Sequence, residues 1–131
     1  GVYPSGGRFD NNSGLPVNNT ALGGRGAGIH PIMLPAYVDF MLAEAALTLG
    51  TTGDPKALLA SGITKHINYV RAFSLTTAEA SVITGFVSND EHARQRDNYV
   101  TYVNNAFDGA ASTDAKMDLV GREVFVCLPE G

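Results

Sequence analysis

The residues able to do chemistry in this chain are few and widely spaced. Histidines stand at His30, His66 and His92, and the single cysteine is Cys127. No two histidines have the short spacing of a metal-ligand pair, and one thiol cannot build a cysteine zinc site or an internal disulfide. Cys127 lies in the apolar run Val124-Phe125-Val126-Cys127-Leu128, which reads as a small buried hydrophobe. His66 lies between Ile63 and Val70 on a helical face and reads as a core histidine with its polar needs met; His92 reads as a solvated first-turn residue. Asp39 and Glu44 are five residues apart, hence about 140° apart on a helix, so they cannot serve as one acid–base pair. Serine, histidine and aspartate are all present, but no Gly-x-Ser-x-Gly elbow is. The run Gly23-Gly24-Arg25-Gly26-Ala27-Gly28 matches neither a dinucleotide fingerprint nor a phosphate loop, because no Gly-Lys-Ser/Thr follows. No enzyme activity, metal or cofactor is expected.

The residues suited to binding are aromatic and amide. A sugar ring is held by an aromatic face against its apolar side, with amides and carboxylates on its hydroxyls. Two groups fit that chemistry. Tyr3, Arg8 and Asp10 share the polar amino-terminal segment, and Tyr102 stands beside Asn98 and Asn105 at the edge of a helical apolar face. Half-buried packing is the alternative for Tyr102, because tyrosine at such a boundary often only packs.

These residues must be positioned by the elements around them. Residues 1–31 hold eight of the fifteen glycines and three of the six prolines, so a loop-rich segment is expected there. Residues 32–131 form a helical region. A first helix is expected over 34–49, with Pro35 in its first turn and Gly50 at its end. Tyr37, Val38, Met41, Leu42, Ala45 and Leu49 make one apolar face and Phe40, Ala43 and Leu47 another, so this helix should be buried on several sides. A second helix over 54–72, capped by Asp54 ahead of Pro55, should pack antiparallel to it as a hairpin. Its wet face would carry Ser61, Thr64, Lys65, Asn68 and Arg71. A short helix is expected from Thr76, and a longer one from Ser88 to Phe107, opened by a capping box with Glu91 and bearing an Asp90–Arg94 surface pair. Residues 114–128 are helix or buried strand, with helix favoured by Met117, Val120, Val124 and Leu128. Their apolar residues at the chain end should leave exposed surface and favour self-association, or a cleaved partner piece still bound.

Glu44 is expected to sit in a buried position on the first helix. It would then need a cation or backbone amides, or else a raised pKa, and Arg25 and Arg71 are the candidates for a structural pair.

Composition excludes further classes. Nine basic residues against thirteen acidic ones give a net charge of −4, without the basic patch that nucleic-acid binding usually needs. No stretch reaches the ~20 apolar residues of a membrane span, and no signal peptide stands at the start of the sequence.

The run Pro31-Ile32-Met33-Leu34-Pro35-Ala36-Tyr37-Val38-Asp39-Phe40-Met41-Leu42-Ala43-Glu44-Ala45-Ala46, with its Ala-Glu-Ala centre, resembles the helix that introduces the tetratricopeptide-like core of SusD/RagB proteins. The Gly-Asp turn after it, Ser61-Gly62-Ile63 in the next helix and the Gly23–Pro31 loop are similar to the same family. The likeness covers residues 23–75. It implies a mainly α fold of tetratricopeptide-like antiparallel hairpins preceded by a Gly/Pro/Asn-rich loop segment, within a longer chain. It further implies an outer-membrane surface lipoprotein, lipid-anchored through a cysteine that is not Cys127. Such a protein would capture an oligosaccharide or other nutrient and deliver it to a TonB-dependent, SusC-like transporter. A helical-repeat scaffold that binds protein, with no glycan site of its own, is the alternative.

Overall fold

A computed structural model describes residues 33–75 and 84–127. The protein is mainly α. Four helices have defined bounds: α1 (Pro35–Thr48), α2 (Pro55–Leu75), α3 (Asn89–Gly109) and α4 (Thr113–Cys127). Residues 84–86 are also helical, and no strand occurs among the described residues. The segment from 114 onward is therefore helix and not strand. The helix expected to open at Thr76 begins outside the described residues, as does the whole of 1–31.

Helix starts follow their local chemistry. Pro35 opens α1 behind the extended Leu34, where its missing amide costs nothing. Asp54 accepts the Lys56 amide at 3.0 Å ahead of α2. Ser88 accepts the Glu91 amide at 3.2 Å, and Ser112 accepts the Ala115 amide at 3.1 Å. Each satisfies an amide that the helix itself leaves without a partner. Gly50, at φ +62°, leaves α1 through the left-handed conformation that favours glycine.

Cross-helix contacts fix the topology. Lys65 pairs with Asp39, and Gly62 abuts Phe40, so α1 and α2 run antiparallel as the hairpin reading expects. Lys56 meets Asp108 at 2.9 Å, Arg96 meets Asn68 at 3.0 Å and Arg71 meets Asn89 at 3.1 Å, so α2 and α3 are antiparallel as well. Tyr99 bonds Glu123 and Lys116 lies over the Phe107 ring, which makes α3 and α4 the third antiparallel pair. The Tyr37 hydroxyl then donates to the Cys127 carbonyl at 3.2 Å, which brings the end of α4 back to the start of α1. The four helices close a ring, and its core is Leu34, Ala36, Phe40, Ala43, Leu59, Ile63, Val103, Phe107, Val120 and Cys127.

Three expectations change here. First, α1 is buried on one face among the described residues. Ala36, Asp39, Phe40 and Ala43 point inward, while Val38, Met41, Leu42 and Leu49 are exposed. Two opposed apolar faces share this helix, and α2 and α4 cover only one. Second, Glu44 is exposed, so no buried carboxylate calls for a cation there. Arg71 turns to the other side of α2 and donates to the Val87 carbonyl at 2.7 Å and to Asn89. The Glu44–Arg71 pair does not form, and Arg25 lies outside the described residues. The buried acid of α1 is Asp39, 7% exposed. Lys65 Nζ stands 2.6 Å from its Oδ2, off the line of a hydrogen bond, as an ion pair. Third, Arg94 pairs with Glu91 three residues back, at 2.6 Å, and not with Asp90. The Glu91 amide thus meets the Ser88 cap while its carboxylate holds this arginine and Gln95.

Candidate functional site: a tyrosine platform on α3

Residues 98, 102 and 105 recur at four and three positions along α3, so they share one face. Asn98, Tyr102 and Asn105 are all exposed there. Tyr102 is 61% exposed, and its ring stacks on Tyr99 with centroids 6.3 Å apart and planes inclined by 28°. The result is a pair of stacked rings on a helix that also exposes carboxamides at Asn98 and Asn105. An apolar π-face and hydrogen-bonding groups on one helix are the surface chemistry that suits a neutral pyranose.

The Tyr102 ring projects outward, so half-buried packing does not describe it. Tyr99 is at the boundary: its ring lies partly at the surface and its hydroxyl turns in. That hydroxyl donates to Glu123 Oε2 at 2.8 Å, and Arg122 donates to Glu123 Oε1 at 3.3 Å. Glu123 is only 1% exposed. It lies three residues after Val120 and four before Cys127, both buried, and so falls within the apolar face of α4. Sequence reasoning passed over it, although that spacing carries the signal once α4 is read as a helix.

The cluster shifts proton equilibria in one direction. Burial pushes the Tyr99 hydroxyl up to about 12, assisted by its hydrogen bond to Glu123 and by that carboxylate's charge. Burial pushes the Cys127 thiol up to about 11, with Glu123 adding to the shift. A thiol held so firmly protonated is a packing group and a poor nucleophile. The Tyr37 hydroxyl is also raised, chiefly by burial.

Both large shifts are upward, so folding favours the protonated forms. Their stabilisation is complete below the unfolded values of 9.0 and 10.0 and is lost as pH rises through the folded ones. Stability should therefore fall from about pH 9 toward pH 11, by roughly 1–2 kcal/mol for the thiol. Denaturant unfolding across that range checks this, and Cys127→Ala should flatten the first part of the decline. A flat profile in the unmodified protein would contradict the account.

Of the other candidate residues, Tyr3, Arg8 and Asp10 lie outside the described residues. Asn98 and Tyr102 come together; Glu44 and Arg71 belong to neither the platform nor each other. His66 is half-buried, with its proton affinity lowered by burial, and its Nδ1 has no hydrogen-bond partner, unlike the satisfied histidine expected. His92 is half-buried rather than solvated, and burial, then the charges of Arg71 and Arg96, lower its proton affinity. Among the described residues no three His, Cys, Asp or Glu side chains are grouped to hold a metal ion, and no helix is long and apolar enough to cross a membrane. No family model, no curated protein and no solved structure matches the chain. The class defined by fold and site is thus a mainly α protein bearing a surface tyrosine platform.

Proposed function

We propose that the chain is a nutrient-binding protein of the SusD/RagB type. In this reading it captures a neutral oligosaccharide at the bacterial outer surface and hands it to a TonB-dependent, SusC-like transporter, as a non-enzymatic lipoprotein anchored through a cysteine other than Cys127. The observation that carries the reading is the exposed, stacked Tyr99–Tyr102 pair between Asn98 and Asn105. The Ala-Glu-Ala helix and the antiparallel hairpins support the family and its tetratricopeptide-like core. The test is calorimetric titration with neutral hexasaccharides (cellohexaose, maltohexaose and xylohexaose). Tyr102→Ala should weaken the tightest of them about tenfold, through lost ring contact worth roughly 1 kcal/mol beyond its area. Unchanged affinity in that variant would remove the platform from the site.

The scaffold reading is favoured by a different observation, the exposed apolar stripe of Val38, Met41 and Leu42 along α1, with Leu49 just past its end. The i, i+3, i+4 spacing of the first three is one by which a helix seats against another protein. In the proposal this stripe meets the transporter. Met41→Glu should abolish capture by the purified transporter while leaving any sugar titration unchanged. Transporter binding without heat from any sugar would favour the scaffold alone.

A further inference from the structure

We propose that Glu123 is a positioning residue for the platform: a buried carboxylate on α4 that fixes the plane in which Tyr99 and Tyr102 meet a ligand. The inference rests on reading that platform as a sugar-stacking surface.

Glu123 occupies a place where an apolar residue would be expected. Its neighbours along the seam, Val120 and Cys127, are buried and apolar. A carboxylate there is costly unless its oxygens are well partnered, whereas a hydrophobic side chain of similar volume fills such a position without that cost. The Arg122 contact is long at 3.3 Å and comes from a half-exposed side chain. The shorter bond, 2.8 Å, comes from the Tyr99 hydroxyl. What the carboxylate holds is therefore the inner end of Tyr99.

Pinning that hydroxyl fixes the long axis of the Tyr99 ring at a surface where it would otherwise turn over several rotamers. Tyr102, one helical turn further on, lies against that ring. Its own exposure leaves it little else to fix its tilt. The order is set from inside to outside: Glu123 holds Tyr99, and Tyr99 backs Tyr102. A platform fixed before binding gives up less rotamer freedom on meeting a ligand. Glu123 itself touches no ligand.

Four variants test this: Glu123→Leu, Glu123→Gln, Tyr99→Phe and the Leu/Phe double. Leucine fills the space without an acceptor; glutamine keeps a carbonyl oxygen for the Tyr99 hydroxyl. With the tightest-binding hexasaccharide, Glu123→Leu should weaken affinity about tenfold, and Glu123→Gln should recover it to within about twofold. Tyr99→Phe should lose as much as Glu123→Leu, and the double no more than either, because both break one bond. The chain has no tryptophan, so its near-ultraviolet circular dichroism reports chiefly on tyrosine packing. That signal should fall in the leucine variant and return in the glutamine variant. Glutamine performing no better than leucine, or Tyr99→Phe binding as the unmodified protein does, would overturn the proposal. Should Glu123→Leu fail to fold, Tyr99→Phe decides alone. If no hexasaccharide binds the unmodified protein, the sugar reading fails, and the dichroism of the two Glu123 variants decides whether the positioning role survives it.

Discussion

Gly62→Val should destabilise the protein by roughly 3 kcal/mol, and Gly62→Ala by about 1–2 kcal/mol. A Cβ placed on Gly62 would stand 2.5 Å from Cε1 of Phe40 and 2.8 Å from its Cδ1. These are atoms of a ring that is 1% exposed and closed in by the core. The ring cannot swing away, so α1 and α2 must separate. Alanine gains about 1 kcal/mol of helix propensity over glycine, which offsets part of the clash. The sign of the alanine result is thus a direct measure of how rigid the Phe40 site is. Denaturant unfolding supplies the measurement. Adding Phe40→Leu should relieve Gly62→Ala, giving a double variant more stable than the two separate losses predict. Gly62→Ala at or above the stability of the unmodified protein would show that the helices do not approach so closely.

Lys65→Ala should cost about 2–3 kcal/mol. Asp39 is buried on the inner face of α1, and Lys65 Nζ is its cation at 2.6 Å. Removing one partner of a fully buried pair costs ~3–5 kcal/mol because the other charge is left without compensation. Lys65 is half-exposed and water screens part of that loss. Asp39→Asn on the Lys65→Ala background should recover part of the stability, since the amide carries no charge to leave stranded. Glu44→Ala, at an exposed position on the same helix, should change stability by no more than ~0.5 kcal/mol. A large loss at Glu44 together with none at Lys65 would reverse the assignment.

The contrast between Asp39 and Glu44 shows where sequence reasoning stopped. Both acids interrupt an apolar helix, about 140° apart, so only one could face the core. Periodicity alone could not choose, because α1 has apolar residues on both sides. The choice depends on where α2 and α4 lie, and that is tertiary information. Periodicity puts Lys65 on the wet face of α2, in keeping with its half-exposed side chain, but nothing local ties it to an acid twenty-six positions earlier. Signals confined to one turn were legible: Pro35, Asp54, the Ser88 capping box and the left-handed Gly50 all stand where their chemistry requires. Arg94 had acids three and four positions back, and side-chain geometry settled on Glu91. On the site, Asn98, Tyr102 and Asn105 were readable from spacing along one helix. Glu123 was not, because the β-branched run around it obscured the helix that makes its burial visible.

The Tyr37–Cys127 bond joins residues ninety positions apart, whereas α1–α2, α2–α3 and α3–α4 are antiparallel pairs of helices successive in the sequence. Most of the packing is therefore local in sequence and can form by zipping one hairpin after another. Seating α4 on α1 is the step that closes a long loop, and its entropy cost must be met before its contacts give anything back. The seam between α1 and α4 is accordingly where the longest loop of the described helices is closed. Tyr37 and Cys127 sit on it like a latch.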